Sequence, residues 1–210
     1  ASELPVISVE YRRPPEDRFP AAAEDCFTVC DAISVEFERL GLGRNTIVVG
    51  DSAGGNLAAA VCIMARERGG PSLLGQVLIY PVLDAGMTTE SYRLFAKDHG
   101  LTADTMAWFW QNYTGEPGSP SRRNPLASPV ASGDLGGLPQ TLLLVAEYDV
   151  LRDEGIQFAR RLSDAGVPTT LEHCDGMLHG FAHFAGVFDE AIPVIRQIGK
   201  QCRRWVSVAS

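Results

Sequence analysis

Gly50-Asp51-Ser52-Ala53-Gly54 is a G-x-S-x-G sequence, with the β-branched run Thr46 to Gly50 before it and an Ala-rich stretch after it. Set between a strand and a helix, this pattern makes a turn so tight that Cβ atoms at the glycines would strike neighbouring backbone. The turn lifts the serine hydroxyl at the helix N-terminus. A serine hydroxyl is a poor nucleophile until a base takes its proton, and that base needs an acid to fix its tautomer. On such a scaffold the expected chain order is Ser, then Asp or Glu, then His. Downstream stand Ala146-Glu147-Tyr148-Asp149-Val150-Leu151-Arg152-Asp153-Glu154-Gly155 and then Gly176-Met177-Leu178-His179-Gly180-Phe181, which supply both types in that order. The chemistry these residues could do together is acyl transfer. Read without its flanks, the serine motif is only a Gly-rich turn with a capping Ser.

The flanking elements decide whether these groups can meet. Apolar runs predict strands over Val6 to Tyr11, Thr46 to Gly50, Gln76 to Val82, Thr141 to Ala146 and Thr169 to Glu172. Helices are predicted over Phe19 to Leu40, Ala53 to Arg68, Asp153 to Ala165 and about Phe188 to Val206, several closed by glycines or Gly-Pro breaks. The run Thr46 to Gly50 reads as a strand buried on both faces. A polar, Gly- and Pro-punctuated region spans Asp84 to Pro139 and carries one helix, Thr102 to Tyr113. Strand and helix alternating in this rhythm predict an α/β fold: a mostly parallel sheet with helices on both faces and functional groups at the strands' carboxyl ends.

Composition bounds the answer further. The chain has 210 residues, 45% hydrophobic, with ordinary Gly (21) and Pro (13) counts, which fits one globular domain and excludes disordered or collagen-like classes. A net charge of −8 argues against a nucleic-acid or anionic-membrane binder, both of which need a cationic field. No apolar run exceeds Leu57 to Ala65, too short to span a bilayer, and the first residues have no signal-peptide pattern. Five cysteines (Cys26, Cys30, Cys62, Cys174, Cys202) without a CxxC pair read as reduced thiols of a cytoplasmic protein. Cys26 and Cys30 read as a small apolar helix stripe rather than metal ligands, because no further ligand set accompanies them. Neither GxGxxG nor GxxxxGK[ST] occurs, which disfavours nucleotide binding.

Taken together, Tyr11-Arg12-Arg13-Pro14-Pro15-Glu16 with Phe19-Pro20-Ala21, Gly50-Asp51-Ser52-Ala53-Gly54-Gly55-Asn56, Asp149-Val150-Leu151-Arg152-Asp153-Glu154-Gly155 and His179-Gly180-Phe181 resemble the hormone-sensitive-lipase-like family of α/β-hydrolase carboxylesterases. The departures, Arg13, Pro14 and Val150, leave the triad untouched. The resemblance implies Ser52 as nucleophile, His179 as general base then acid, and Asp149 as the orienting carboxylate, acting on short to medium acyl esters without cofactor or metal. It implies one domain over residues 1–210 with 84–139 as a cap and acyl-pocket insertion, in which Trp108, Phe109 and Trp110 line the acyl wall. Three consecutive residues point around a helix, so only part of that triplet can face a pocket.

Ala53 supplies one oxyanion-hole N–H; in this family the others come from an HGGG-type loop, and no such sequence occurs here. In the family the strand carrying that loop lies between those corresponding to Val6–Tyr11 and Thr46–Gly50. The expectation is therefore an N-terminally incomplete domain, its N-terminal strands and cap helices belonging to a longer polypeptide. Otherwise the first strand re-pairs, or a second chain fills the slot in a homo-oligomer. Two other functions stay open: a non-catalytic binding protein on the same fold, and an amide or peptide hydrolase using the same triad.

Other residues compete for the roles. Asp153 reads as the N-cap of the next helix, and Asp175, close to His179 in sequence, as a weaker candidate for the orienting carboxylate. His183 reads as a partly exposed helix or loop residue, and His99 and His173 as ordinary structural histidines. Asp51 and Glu147 read either as a carboxylate pair behind the serine or as two unrelated polar groups.

Overall fold

A computed structural model describes residues 1–209. Its four strands, β1 (Thr46–Asp51), β2 (Leu73–Ile79), β3 (Gln140–Tyr148) and β4 (Thr169–Leu178), form one parallel sheet in that spatial order. Six helices accompany them: α1 (Ala21–Glu36), α2 (Ala53–Arg68), α3 (Glu90–Leu94), α4 (Ala103–Thr114), α5 (Arg152–Asp164) and α6 (Ala191–Ala209).

Side chains alternate across a strand, and this splits the core in two. Leu78, Leu143 and Val145 turn to one face and meet Ala22 of α1, Ile63 of α2 and Phe158 of α5. Val77, Leu142 and Leu144 turn to the other and meet Val194, Cys202 and Trp205 of α6. Helices thus cover both faces, as the alternating pattern predicts. The central strands β2 and β3 are buried almost throughout, which explains their continuous apolar runs. Helix α2 is buried from Gly55 to Ala65 between the sheet and α1, and ends at Gly69, whose φ of 78° is the left-handed cap its sequence predicts.

A third apolar cluster sits over the carboxyl ends of the strands. Val82 and Val150, from the loops after β2 and β3, meet Tyr92 of α3 and Met106 and Trp110 of α4. Residues between β2 and β3 therefore roof the edge where the functional groups collect. Cys26 lies in the α1–α2 core with Cys30 against it, as an apolar stripe would, and all five cysteines are free. Among the described residues no helix is long and apolar enough to cross a membrane.

Several boundaries differ from the sequence reading. Val6 to Tyr11 forms no strand: Val6 is 83% exposed, and no strand of the sheet pairs with this segment. Strand propensity is realised only through a ladder partner, so apolar β-branched residues alone do not make a strand. For the same reason β1 is an edge strand rather than one buried on both faces, and Val49 is half exposed. Strand β2 begins at Leu73 and stops at Ile79, ahead of the predicted Val82, where Tyr80 takes a positive φ of 34°. Strand β4 runs ten residues to Leu178, far beyond Glu172. Its exposed face carries His173 and Asp175, which interrupt the apolar run, while the ladder to β3 continues through Cys174 to Leu178. The short helix α3 is not legible in the sequence.

Candidate active site

Strand β1 ends at Asp51 and helix α2 starts at Ala53, leaving Ser52 alone to make the turn. Its φ of 52° and ψ of −118° are unusual for a residue with a side chain, and the surroundings hold it there. Ser52 N–H donates to the Ile79 carbonyl at 2.9 Å, and the Ser52 carbonyl accepts from Val82 N–H at 3.2 Å and Asn56 N–H at 3.1 Å. Asn56 adds a second tie, donating from Nδ2 to the carbonyls of Val82 at 2.9 Å and Ala127 at 2.7 Å.

The glycines of the motif are not equivalent. A Cβ on Gly50 would lie 2.1 Å from the Gly54 carbonyl oxygen, and one on Gly55 would lie 2.8 Å from Pro81 Cβ. A Cβ on Gly54 would meet nothing within 4 Å. The steric demand read onto Gly50 and Gly54 thus belongs to Gly50, which the first turn of α2 folds back onto, and to Gly55, which leans on Pro81 of the loop after β2. Gly50→Ala is expected to destabilise the fold by roughly 3 kcal/mol or more. Gly54→Ala, inside a helix, is expected to stay within about 1 kcal/mol of the parent. Urea denaturation of the two variants measures the contrast, and equal midpoints would refute it.

Asp149 follows β3 and His179 follows β4 directly, so the unforeseen length of β4 is what carries the histidine to the sheet edge. Asp149 is buried; its Oδ1 accepts Leu151 N–H at 3.0 Å, and its Oδ2 faces His179 Nδ1 at 2.7 Å. His179 Nε2 lies 2.9 Å from Ser52 Oγ. An ionised carboxylate only accepts, so the ring proton sits on Nδ1 and the Nε2 lone pair receives the Ser52 hydroxyl. The Tyr80 ring packs edge-on against the imidazole, centroids 4.8 Å apart, and limits its swing. Ala53 N–H, first in α2, has no acceptor within its own helix and stands beside the hydroxyl at the positive helix end.

The competing groups are engaged elsewhere. Asp153 does not cap its own helix: Oδ2 accepts Ser91 N–H at 2.8 Å and Oδ1 takes Arg152 Nε at 2.9 Å, which pins α3 to α5. Asp51 pairs with exposed His183 Nε2 at 2.7 Å, and Glu147 accepts Gly176 N–H at 2.6 Å, so these two carboxylates do not form a pair. His99 stacks on Tyr148. His173 and Asp175 are exposed on β4.

A cavity of about 390 Å³ opens beside Ser52 and His179. Its wall on α4 is made by Met106, Phe109, Trp110 and Tyr113, an i, i+3, i+4, i+7 stripe. Trp108 is not in that wall; it is 57% exposed and rests against Phe109, because consecutive helix residues point about 100° apart. Met106 and Tyr113 were legible by the same periodicity once one member of the stripe was chosen. Tyr11 and Pro14 close another side. Their loop is fastened to α1 by Arg12, whose Nε and Nη2 reach Asp25 at 2.9 and 2.7 Å and whose hydrogen bonds hold the Asp25 carboxyl down to about 2.

Comparison with known proteins places this geometry among relatives. The alpha/beta hydrolase fold family matches residues 1–183. Ethyl acetate hydrolase of Pseudomonas putida is 36% identical over 192 residues, covering 90% of this chain and 59% of the relative. Carboxylesterase NlhH of Mycobacterium tuberculosis is 37% identical over 190 residues, covering 89% and 59% respectively. The solved hyperthermophilic esterase from the archaeon Pyrobaculum calidifontis superposes with a TM-score of 0.89 at 40% identity, over 95% of this chain and 66% of that one. The chain thus spans between about half and two thirds of the length of the relatives it matches. A strand–Ser–helix elbow, an acid after β3 and a histidine after β4, matched to that family over most of its length, make this chain a member of the hormone-sensitive-lipase-like family of the alpha/beta hydrolase fold.

Proposed function

We propose that this chain hydrolyses carboxylic esters with short to medium acyl groups through a covalent acyl-enzyme on Ser52. The observation that carries the reading is the continuous relay from Ser52 Oγ through His179 to Asp149, at 2.9 and 2.7 Å, opening on an apolar-walled cavity. Ser52 Oγ attacks the ester carbonyl carbon while His179 Nε2 takes its proton. Asp149, ionised and buried, steadies the imidazolium that forms. The developing oxyanion lies by the Ala53 N–H at the α2 terminus, where the helix dipole favours negative charge. His179 then returns the proton to the departing alkoxide, and a water deprotonated by the same nitrogen attacks the acyl-enzyme to free the acid and Ser52. Ester hydrolases among the relatives support the reaction class.

A series of p-nitrophenyl esters of increasing acyl length tests the proposal. Turnover is expected to peak at short to medium acyl chains, because a cavity of about 390 Å³ takes only a small group. No member turned over above the buffer rate would sink it. Within the series Phe109→Ala is expected to raise KM for the best acyl chain about tenfold and to favour a longer chain, since a pocket methylene is worth about 1–3 kcal/mol. Trp108→Ala, off the wall, is expected to change KM less than about twofold. Equal effects of the two substitutions would refute the assignment of the wall.

A further inference from the structure

Asp149 is held by more than its histidine. It opens a tight turn between β3 and α5, in which its carbonyl accepts Arg152 N–H at 3.2 Å and its Oδ1 accepts Leu151 N–H at 3.0 Å. That Leu151 N–H belongs to the same peptide unit as the Val150 carbonyl. The carbonyl in turn accepts the Ser91 hydroxyl of α3 at 2.7 Å, from 59 residues away in the chain. Ser91, Asp149, Val150 and Leu151 are all buried. The Ser91 hydroxyl is fully used: its one proton goes to Val150, so its oxygen accepts Asp153 N–H at 3.2 Å and the Thr89 hydroxyl at 3.1 Å. Ser91 N–H donates to Asp153 Oδ2 at 2.8 Å, so Ser91 and Asp153 exchange bonds in both directions.

We infer that Ser91 is a positioning residue for the orienting carboxylate: by holding the Val150 carbonyl it sets the Leu151 N–H that aims Asp149 at His179. A peptide unit is planar and rigid, so pinning its C=O also fixes its N–H. The orienting chain then runs from the Ser91 hydroxyl through one peptide to Asp149 Oδ1, and from Oδ2 to His179 Nδ1 at 2.7 Å. In a buried setting such a chain also polarises along its length. Without Ser91 Oγ a buried carbonyl loses its partner and the peptide is free to turn, which takes the N–H off Oδ1 and lets the carboxylate rotate. Ser91 acts through that peptide and not on the reacting atoms. Its neighbour Tyr92 shares an apolar cluster with Met106 and Trp110 of the cavity wall, so the roof and the relay are joined at α3.

The kinetic part of this inference rests on the ester-hydrolase reading. Ser91→Ala is expected to lower kcat for the best p-nitrophenyl ester about tenfold with KM within about twofold, because it disturbs the relay and not the wall. Asp153→Asn is the control. It weakens the tie between α3 and α5 but leaves the bond from Ser91 Oγ to Val150, and is expected to change kcat less than about threefold. Both substitutions loosen the same packing, so both variants are expected to melt below wild type. Losses of kcat that follow the melting temperature alike in the two variants, or a Ser91→Ala effect confined to KM, would leave Ser91 a merely structural role and overturn the inference.

A proton resonance reads the same geometry without substrate. The proton on His179 Nδ1, facing Asp149 Oδ2 at 2.7 Å, is expected to give a resolved far-downfield signal in wild type, to move upfield in Ser91→Ala and to stay in place in Asp153→Asn. Ser91→Cys keeps the side chain's shape with a weaker donor and is expected to move the signal the same way by less, which supplies the readout if the alanine variant does not fold. A signal absent from wild type, or unmoved by substitution at position 91, would overturn the inference. If wild type hydrolyses no ester, the reaction proposal fails with the kinetic arm, while the resonance still decides whether Ser91 sets the geometry of Asp149 and His179.

Discussion

Ser52→Ala is expected to lower kcat/KM for a short p-nitrophenyl ester by about 10⁴-fold or more, the scale on which removal of a nucleophile acts when base and orienting acid lose their target with it. The substitution removes Oγ, which lies 2.9 Å from His179 Nε2, and leaves the backbone bonds of Ser52 to Ile79, Val82 and Asn56 in place. The elbow therefore keeps its geometry, and the melting temperature is expected to move by only a few degrees. A fluorophosphonate probe adds a readout independent of turnover: it is expected to label the wild-type protein at Ser52 and to leave Ser52→Ala unlabelled. Activity within tenfold of wild type in the alanine variant would place the nucleophile elsewhere.

Asp149→Asn is expected to cost about 10³- to 10⁴-fold in kcat/KM at neutral pH while the fold survives. The side chain has no freedom to escape the consequence. Asp149 Oδ1 is bound by Leu151 N–H at 3.0 Å, so the amide oxygen of asparagine stays there. The NH2 group must then face His179 Nδ1, where Oδ2 now lies at 2.7 Å. A donor at that point forces the proton onto Nε2, and the ring presents a hydrogen rather than a lone pair to Ser52. Asp153→Asn supplies the comparison: it loosens the bonds to Ser91 and Arg152, away from the imidazole, and is expected to change kcat/KM less than about threefold. A loss at position 149 no larger than that at position 153 would reverse the choice between these carboxylates.

How far the sequence could be read depended on the kind of interaction each feature needs. The span of α2 was legible to the residue, because its start is set by the serine motif and its end by a glycine that takes a left-handed cap. The interior strands were legible because burial on both faces leaves a continuous apolar run in β2 and β3. Val6 to Tyr11 has the same local look and forms no strand, since a ladder partner is a property of another part of the molecule. The reverse error occurred in β4: its exposed polar residues hid six further residues of strand that the ladder to β3 sustains. Trp108 lies off the wall, and of the two readings of Asp51 and Glu147 the unrelated polar groups hold, because neighbouring in sequence, or at two strand ends, does not specify where a side chain points.

By itself the sequence determined the residue types and their order: a serine in a strand–helix turn, then an acidic motif, then a histidine, each at the end of a segment with strand character. Local rules suffice for that, because turn sterics and apolar periodicity act over a few residues. Tertiary structure alone decided which carboxylate meets the imidazole, which glycine is crowded and which side of α4 forms a wall. Those depend on distances between segments far apart in the chain. It also buried Glu154 of α5 against the backbone amides of Leu83 and Asp84, and no pattern in the sequence joins them: burial, which makes such a polar contact consequential, exists only once the chain has folded.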